Sequence, residues 1–184
     1  MRRHWFPKLY ADFVARLRVP GGFLLLAAFL WLSDPRPVSL LCGLPVAVLG
    51  VCLRGWAAGH LAKNELLATS GPYARVRNPL YLGTLLAAAG LAIAARSLPL
   101  AVLFAAVFLL IYLPVIELEE QHLRKLFPAY AAYAAETPML WPRFRHAAGG
   151  TRFSWRSYFQ NREYQGLAGF LTAAAVLAWK AWLP

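Results

Sequence analysis

Gly71-Pro72-Tyr73-Ala74-Arg75-Val76-Arg77-Asn78-Pro79-Leu80-Tyr81-Leu82-Gly83 decides how this chain is read. The stretch packs two arginines, two prolines and two tyrosines between glycines, and it joins two apolar runs that look membrane-spanning. Backbone broken by Pro and Gly beside a membrane helix needs protein, water or a ligand to satisfy its polar groups. A second polar cluster, Glu117 to Arg124, follows the next pair of apolar runs. Together the two clusters point to a cofactor pocket at a membrane surface.

Composition supports a membrane setting. The chain has 184 residues, a length suited to one domain, 1–184, and 60% of them are hydrophobic. Soluble domains carry roughly 45–50% apolar residues, so one small core could not hide this much apolar surface. The net charge of +11 does not indicate nucleic acid, because Lys and Arg sit between the apolar runs, where the positive-inside rule and anionic headgroups account for them. Five basic residues precede the first run, four lie in 54–77 and seven in 117–163, sixteen of the nineteen in all. The bias predicts an inner membrane of bacterial type, with the amino terminus and the pocket cytoplasmic and the carboxyl terminus outside. Cys42 and Cys52, ten apart in one apolar run, form neither a metal signature nor a disulfide framework, and no metal site is expected. A cleavable signal peptide is not expected, since no Ala-x-Ala-type site follows the first run.

The pattern predicts an all-α, polytopic membrane bundle. Residues 4–18 repeat apolar residues every four (Trp5, Leu9, Phe13, Leu17), as an interfacial helix would. Five apolar runs follow, at 19–33, 38–61, 79–95, 98–116 and 164–182, and are read as five transmembrane helices. The first is short and borrows length from the helix before it. Arg54 interrupts the second, and Trp179 and Trp182 stand as interfacial anchors on the last.

Each polar cluster has its own chemistry. Gly71-Pro72-Tyr73 reads as a turn, and Asn78-Pro79 starts the next helix with Asn at a cap-like position and Pro in the first turn. Arg75 and Arg77 flank that helix start, where free backbone N–H groups favour a carboxylate or phosphate. Tyr81 and Gly83 offer a ring edge and a close backbone approach. In Glu117-Leu118-Glu119-Glu120-Gln121-His122-Leu123-Arg124, three carboxylates stand where Lys or Arg is usual. Glu120 is placed to pair with Arg124 at i, i+4. Leu123, Leu126, Phe127 and Tyr130 continue an apolar stripe, which predicts a helix over the membrane's cytosolic face.

In this order and spacing the residues resemble the isoprenylcysteine carboxyl methyltransferase and phospholipid methyltransferase superfamily. Its signature is Gly-x-Tyr…Arg-His/Asn-Pro-x-Tyr-x-Gly, a two-helix hairpin, then Glu-Glu-x-x-Leu-x-x-x-Phe…Tyr-x-x-Tyr…Pro. This chain supplies Gly71, Tyr73, Arg77, Asn78, Pro79, Tyr81 and Gly83, then Glu119, Glu120, Leu123, Phe127, Tyr130, Tyr133 and Pro138, a core of about 60–143. Asn78, rather than His, is closer to the phosphatidylethanolamine methyltransferase form. Phe127-Pro128 replaces the usual Phe-Gly, and residues 151–184 have no counterpart, reading as an extra membrane anchor.

The resemblance implies S-adenosylmethionine held near the cytosolic face. Cofactor-binding residues would be Tyr73, Arg77, Asn78, Pro79, Tyr81, Gly83, Glu119, Glu120 and Tyr130, with Glu119 and Glu120 on the ribose or amino group. Catalytic roles fall to Arg75 and Arg77, holding an acceptor's phosphate or carboxylate, and to Glu120, with Glu119 and His122 as further bases should the acceptor be an amine. The acceptor is lipophilic or membrane-embedded, tilted toward an aminophospholipid, with a prenylated carboxylate or thiol also open. Two rivals stand beside it: a membrane reductase of the sterol-reductase type with a reduced nicotinamide cofactor, and a membrane scaffold without chemistry. Neither the acceptor nor the oligomeric state follows from the residues.

Overall fold

The structure, a computed structural model, describes residues 6–143 and 151–182, with backbone alone at 18–20. Trp5 of the amino-terminal pattern lies outside the described residues. Among these residues the regular structure is entirely helical.

Helix α1, Lys8–Leu32, merges what the sequence separates. The expected interfacial helix and first run form one helix bent by 55° between Lys8–Leu17 and Gly21–Leu32. The junction holds Pro20, Gly21 and Gly22, where a missing N–H and permissive backbone localise a bend. Helix α2, Pro37–Ala58, opens on a proline. Ser39 Oγ accepts from Arg36 N at 2.9 Å and donates to Ala94 O at 2.8 Å, tying this start to the end of α3, Pro79–Ala94.

The run at 98–116 continues unbroken into the helix that carries the second polar cluster, as the stripe beyond it predicts. Helix α4 (Leu98–Val107), a π-helical turn (Phe108–Tyr112) and α5 (Leu113–Leu126) run on as one 29-residue rod. Pro114 explains the turn: it has no N–H to give the carbonyl four residues back. That carbonyl, Leu110 O, accepts instead from Tyr10 Oη of α1 at 2.7 Å. Short helices α6 (Tyr130–Glu136) and α7 (Trp155–Gln160) precede α8, Glu163–Trp182.

The packing of α2 on α3 is set by small residues. Gly43, Ala47 and Gly50 of α2 meet Ala94, Gly90, Ala87 and Gly83 of α3, an antiparallel seam in which backbones touch. Where lipid tails are as apolar as side chains, such close approach supplies the attraction between helices. At the end away from the connector, Phe29, Leu40, Ala94, Leu100 and Leu177 join five helices in one cluster. Beyond it Lys180 Nζ donates to Ser33 O at 2.5 Å and to Leu30 O at 3.0 Å, satisfying the terminal carbonyls of α1.

Among the described residues two helices are long and apolar enough to cross a membrane, Pro37–Ala58 and Leu98–Leu126, or three with bent α1 counted. The expected five therefore meet two or three. Helix α3, at 16 residues, rises only about 24 Å, and α8 carries Glu163, Gln165 and Lys180.

Candidate functional site

The connector turns where only glycine serves. Gly71 has φ +58°, and a Cβ there would lie 2.7 Å from the His60 ring. Gly71–Ala74 then forms a single 3₁₀ turn. Residues 75–78 pass beside the chain after α6: Arg77 N donates to Pro138 O at 2.9 Å, Asn78 N to Met139 O at 3.2 Å, and Arg143 N to Arg75 O at 3.0 Å. This pairing fixes the two clusters side by side.

Arg77 sits at their junction. Its Nη1 donates to Ala134 O at 2.7 Å, at the end of α6. Its Nε lies 2.9 Å from Glu120 Oε1, both side chains 12% exposed, but the Nε–H is not aimed at that oxygen, so the contact is an ion pair rather than a hydrogen bond. Asn78 occupies the cap position of α3 without capping it. Its Nδ2 donates instead to Glu120 Oε1 at 3.1 Å and Met139 O at 3.3 Å. The expected Glu120–Arg124 pair gives way to this arrangement, because the Arg77 charge, held largely out of water, needs a carboxylate partner. Arg124 lies over the Tyr130 ring, 5.2 Å from its centroid.

A cavity of about 780 Å³ opens beside this junction, within the size range of small-molecule sites. Of the residues singled out from the sequence, Tyr73, Arg77, Tyr81, Glu119, His122 and Tyr130 line it. Arg75, Asn78, Pro79, Gly83 and Glu120 do not. Pro79 is fully buried, Gly83 faces Gly50 and Arg54 of α2, and Arg75 lies over the Trp56 ring at 5.7 Å. Glu120 pairs with Arg77 from behind, and Asn78 in turn holds Glu120.

Tyr73 is the most telling wall residue. It is buried, and its hydroxyl has no hydrogen-bond partner among the described residues, an expense that a bound polar ligand would offset. Burial, with the Tyr133 phenol and the Glu119 carboxylate nearby, holds the Tyr73 phenol well above its ordinary value, so it stays a donor. Tyr130 and Tyr133 are raised likewise, burial first. Tyr133 Oη donates to Tyr73 O at 2.7 Å. Glu119 is exposed and makes no hydrogen bond or ion pair among the described residues.

Sequence reasoning missed a second set of wall residues: Arg54, Thr84, Tyr112, Asn161 and Glu163. Arg54 Nε donates to Glu163 Oε1 at 2.5 Å and Nη2 to Glu163 Oε2 at 3.0 Å, while Nη1 donates to Thr84 Oγ1. The signal was present, since a charge inside an apolar run asks for a partner. Nothing in the sequence said which.

These features define a class: an all-helical, membrane-associated protein with an aromatic, partly charged ligand cavity at one end of its apolar helices. Residues 47–130 match the family described as phospholipid methyltransferase, a domain of the isoprenylcysteine and phospholipid methyltransferase superfamily. Over 115 residues it is 38% identical to the cobalt-zinc-cadmium resistance protein CzcN of Cupriavidus metallidurans, covering 61% of this chain and 52% of that one. Over 115 residues it is 34% identical to the nickel-cobalt-cadmium resistance protein NccN of Alcaligenes xylosoxydans xylosoxydans, covering 61% and 53%. The match thus spans about half the length of these curated relatives. No solved structure matches the chain. Among the described residues no group of three or more His, Cys, Asp or Glu is placed to hold a metal ion.

Proposed function

We propose that the chain transfers a methyl group from S-adenosylmethionine to a lipophilic or membrane-embedded acceptor. The observation that carries the reading is the buried, unpartnered Tyr73 hydroxyl in a cavity walled by both signature clusters. The residue set suits the cofactor. Tyr81, Phe127 and Tyr130 offer ring faces for adenine, Glu119 accepts from ribose hydroxyls or an ammonium, and Arg77 is backed by Asn78 and Glu120.

When bound, S-adenosylmethionine supplies an electrophilic methyl group on a sulfonium. The chain's own part is then positioning and electrostatics. Tyr73 donates a hydrogen bond into the cavity, and the aromatic walls exclude water. Arg77, neutralised by Glu120, orients an anionic group without a large net field. An amine acceptor needs its proton taken before attack, and Glu119, solvent-connected and unpaired among the described residues, is the base best placed to hold it. An aminophospholipid suits this arrangement, as Val115 and Leu118 carry the wall toward the apolar end of α5.

The topology proposed with it has α1, α2, α3, α4–α5 and α8 crossing the membrane, α3 as a short span. The amino terminus and the cavity lie on the cytoplasmic side of an inner membrane. The core 60–143 makes the site within one domain, 1–184.

Calorimetric titration of detergent-purified protein with S-adenosylhomocysteine, with reduced nicotinamide cofactor in parallel, tests the reading. Saturable binding of the first, lost in Arg77→Ala, is expected. Binding of the nicotinamide alone would replace the proposal with the reductase, and binding of neither by folded protein would favour a scaffold.

A further inference from the structure

Residues 151–163 lie beyond the matched segment, yet they dock on it at several points. Ser154 N donates to Gly59 O at 2.8 Å, and Asn161 Nδ2 donates to Ala58 O at 3.0 Å and Leu61 O at 2.8 Å. These are carbonyls at and just past the end of α2, which a helix terminus leaves without intrahelical partners. Ser70 Oγ and Thr151 Oγ1 lie 2.6 Å apart, joining the segment to the connector as well.

Glu163 then opens α8 with both carboxylate oxygens on Arg54. It is 8% exposed. Arg54 in turn reaches Thr84 and Leu80 O of α3, at 3.4 Å for the carbonyl, so one guanidinium holds three helices. Gly166, one turn on, leaves the carboxylate its room, for a Cβ there would lie 3.0 Å from Glu163 Oε1. Because each charge is spent on the other, the pair presents no free group to a ligand. Asn161 and Glu163 nevertheless line the same cavity as Tyr73.

We propose that Arg54 and Glu163 are a positioning pair that seats residues 151–163 as a working wall of the cofactor cavity, so that ligand affinity depends on a segment outside the family-matched part. The probe used to test it rests on the function proposed above, and a second readout does not. A bidentate pair of this kind is geometrically selective, so Glu163→Gln, which keeps shape and loses charge, releases the wall without emptying the site. Gly166→Val displaces the carboxylate by crowding and reaches the same state by another route.

The experiment measures S-adenosylhomocysteine affinity by calorimetry and the labelling rate of a single cysteine at Ala68, a cavity-lining position. The background carries Cys42→Ser and Cys52→Ser, since both native thiols are exposed. Glu163→Gln is expected to weaken S-adenosylhomocysteine about tenfold and to speed maleimide labelling at position 68 about tenfold. Glu163→Asp, keeping the charge on a shorter arm, should recover part of both. Unchanged affinity and labelling in Glu163→Gln would overturn the proposal, as would faster labelling with unchanged affinity. Should the native chain bind no S-adenosylhomocysteine while labelling still responds to Glu163→Gln, the methyltransferase reading falls and the seating pair stands. Should Glu163→Gln fail to fold, Gly166→Val and Glu163→Asp carry the same two readouts.

Discussion

Replacing Gly90 with alanine tests whether the α2–α3 seam holds the molecule together. The added Cβ would fall against Ala47 N and lie 2.7 Å from both Ala47 Cα and Gly43 O, against an ordinary contact of 3.4–4 Å. All three atoms are backbone, so none can swing aside, and the helices must part by more than an ångström. Overpacking of this kind costs about 1–3 kcal/mol. Alanine also returns about 1 kcal/mol of helix propensity over glycine, which would mask part of the loss. Gly169→Ala in α8 is the matched control, because a Cβ there meets nothing within 4 Å. The difference between the two variants cancels propensity and isolates the clash. At about 2–4 °C per kcal/mol for a chain of this size, Gly90→Ala should melt about 2–12 °C below Gly169→Ala in detergent. Coincident midpoints would refute the reasoning and mean that the seam has slack. Gly83→Ala extends the test toward the cavity: its Cβ would lie 2.6 Å from Arg54 Cγ and 2.7 Å from Gly50 O. It should therefore lose S-adenosylhomocysteine affinity as well as stability, whereas Gly90→Ala should lose mainly stability.

Three further outcomes are expected. Tyr73→Phe removes a buried hydroxyl that has no partner among the described residues, so the melting midpoint should hold or rise while S-adenosylhomocysteine binds about two- to twelvefold more weakly, the worth of one hydrogen bond of about 0.5–1.5 kcal/mol; unchanged affinity would remove Tyr73 from the ligand. Arg77→Ala strands Glu120 in a site where both side chains are 12% exposed and should cost about 3–5 kcal/mol, while Arg77/Glu120→Met/Leu should recover stability but not binding, as thermal melts and calorimetry together would show. Alkaline pH should destabilise the protein through Tyr73, Tyr130 and Tyr133, whose folded phenols are held above the ordinary 10.0 by burial. Their contribution is full below that value and is lost progressively as pH climbs from it toward the raised folded values, because the unfolded phenols ionise first; a triple Phe variant whose melting midpoint falls as steeply between pH 9 and 11.5 would contradict this.

Helices, their order and the meeting of the two clusters were legible in the residues because those signals are local or compositional. Apolar runs, Pro at helix starts and the charge bias each depend on a few neighbours, and the signature spacing carried the family. Tyr73, Arg77, Tyr81, Glu119 and Tyr130 were placed on the cavity by that route. What the residues could not announce was competition among partners. Asn78 had a cap-like position and Glu120 had Arg124 within reach, yet Glu120 turned to Arg77, whose desolvated charge outbids the local alternative, and Asn78 turned to Glu120. Pro114 implied a missing hydrogen bond, but only packing supplied Tyr10 for the carbonyl it left free. Arg54 and Glu163 stand 109 residues apart, and no periodicity couples positions at that separation. Local chemistry sets which segments are helical and which charges need partners; the close backbone seam of α2 and α3, and the docking of α8 against it, decide which partners they find.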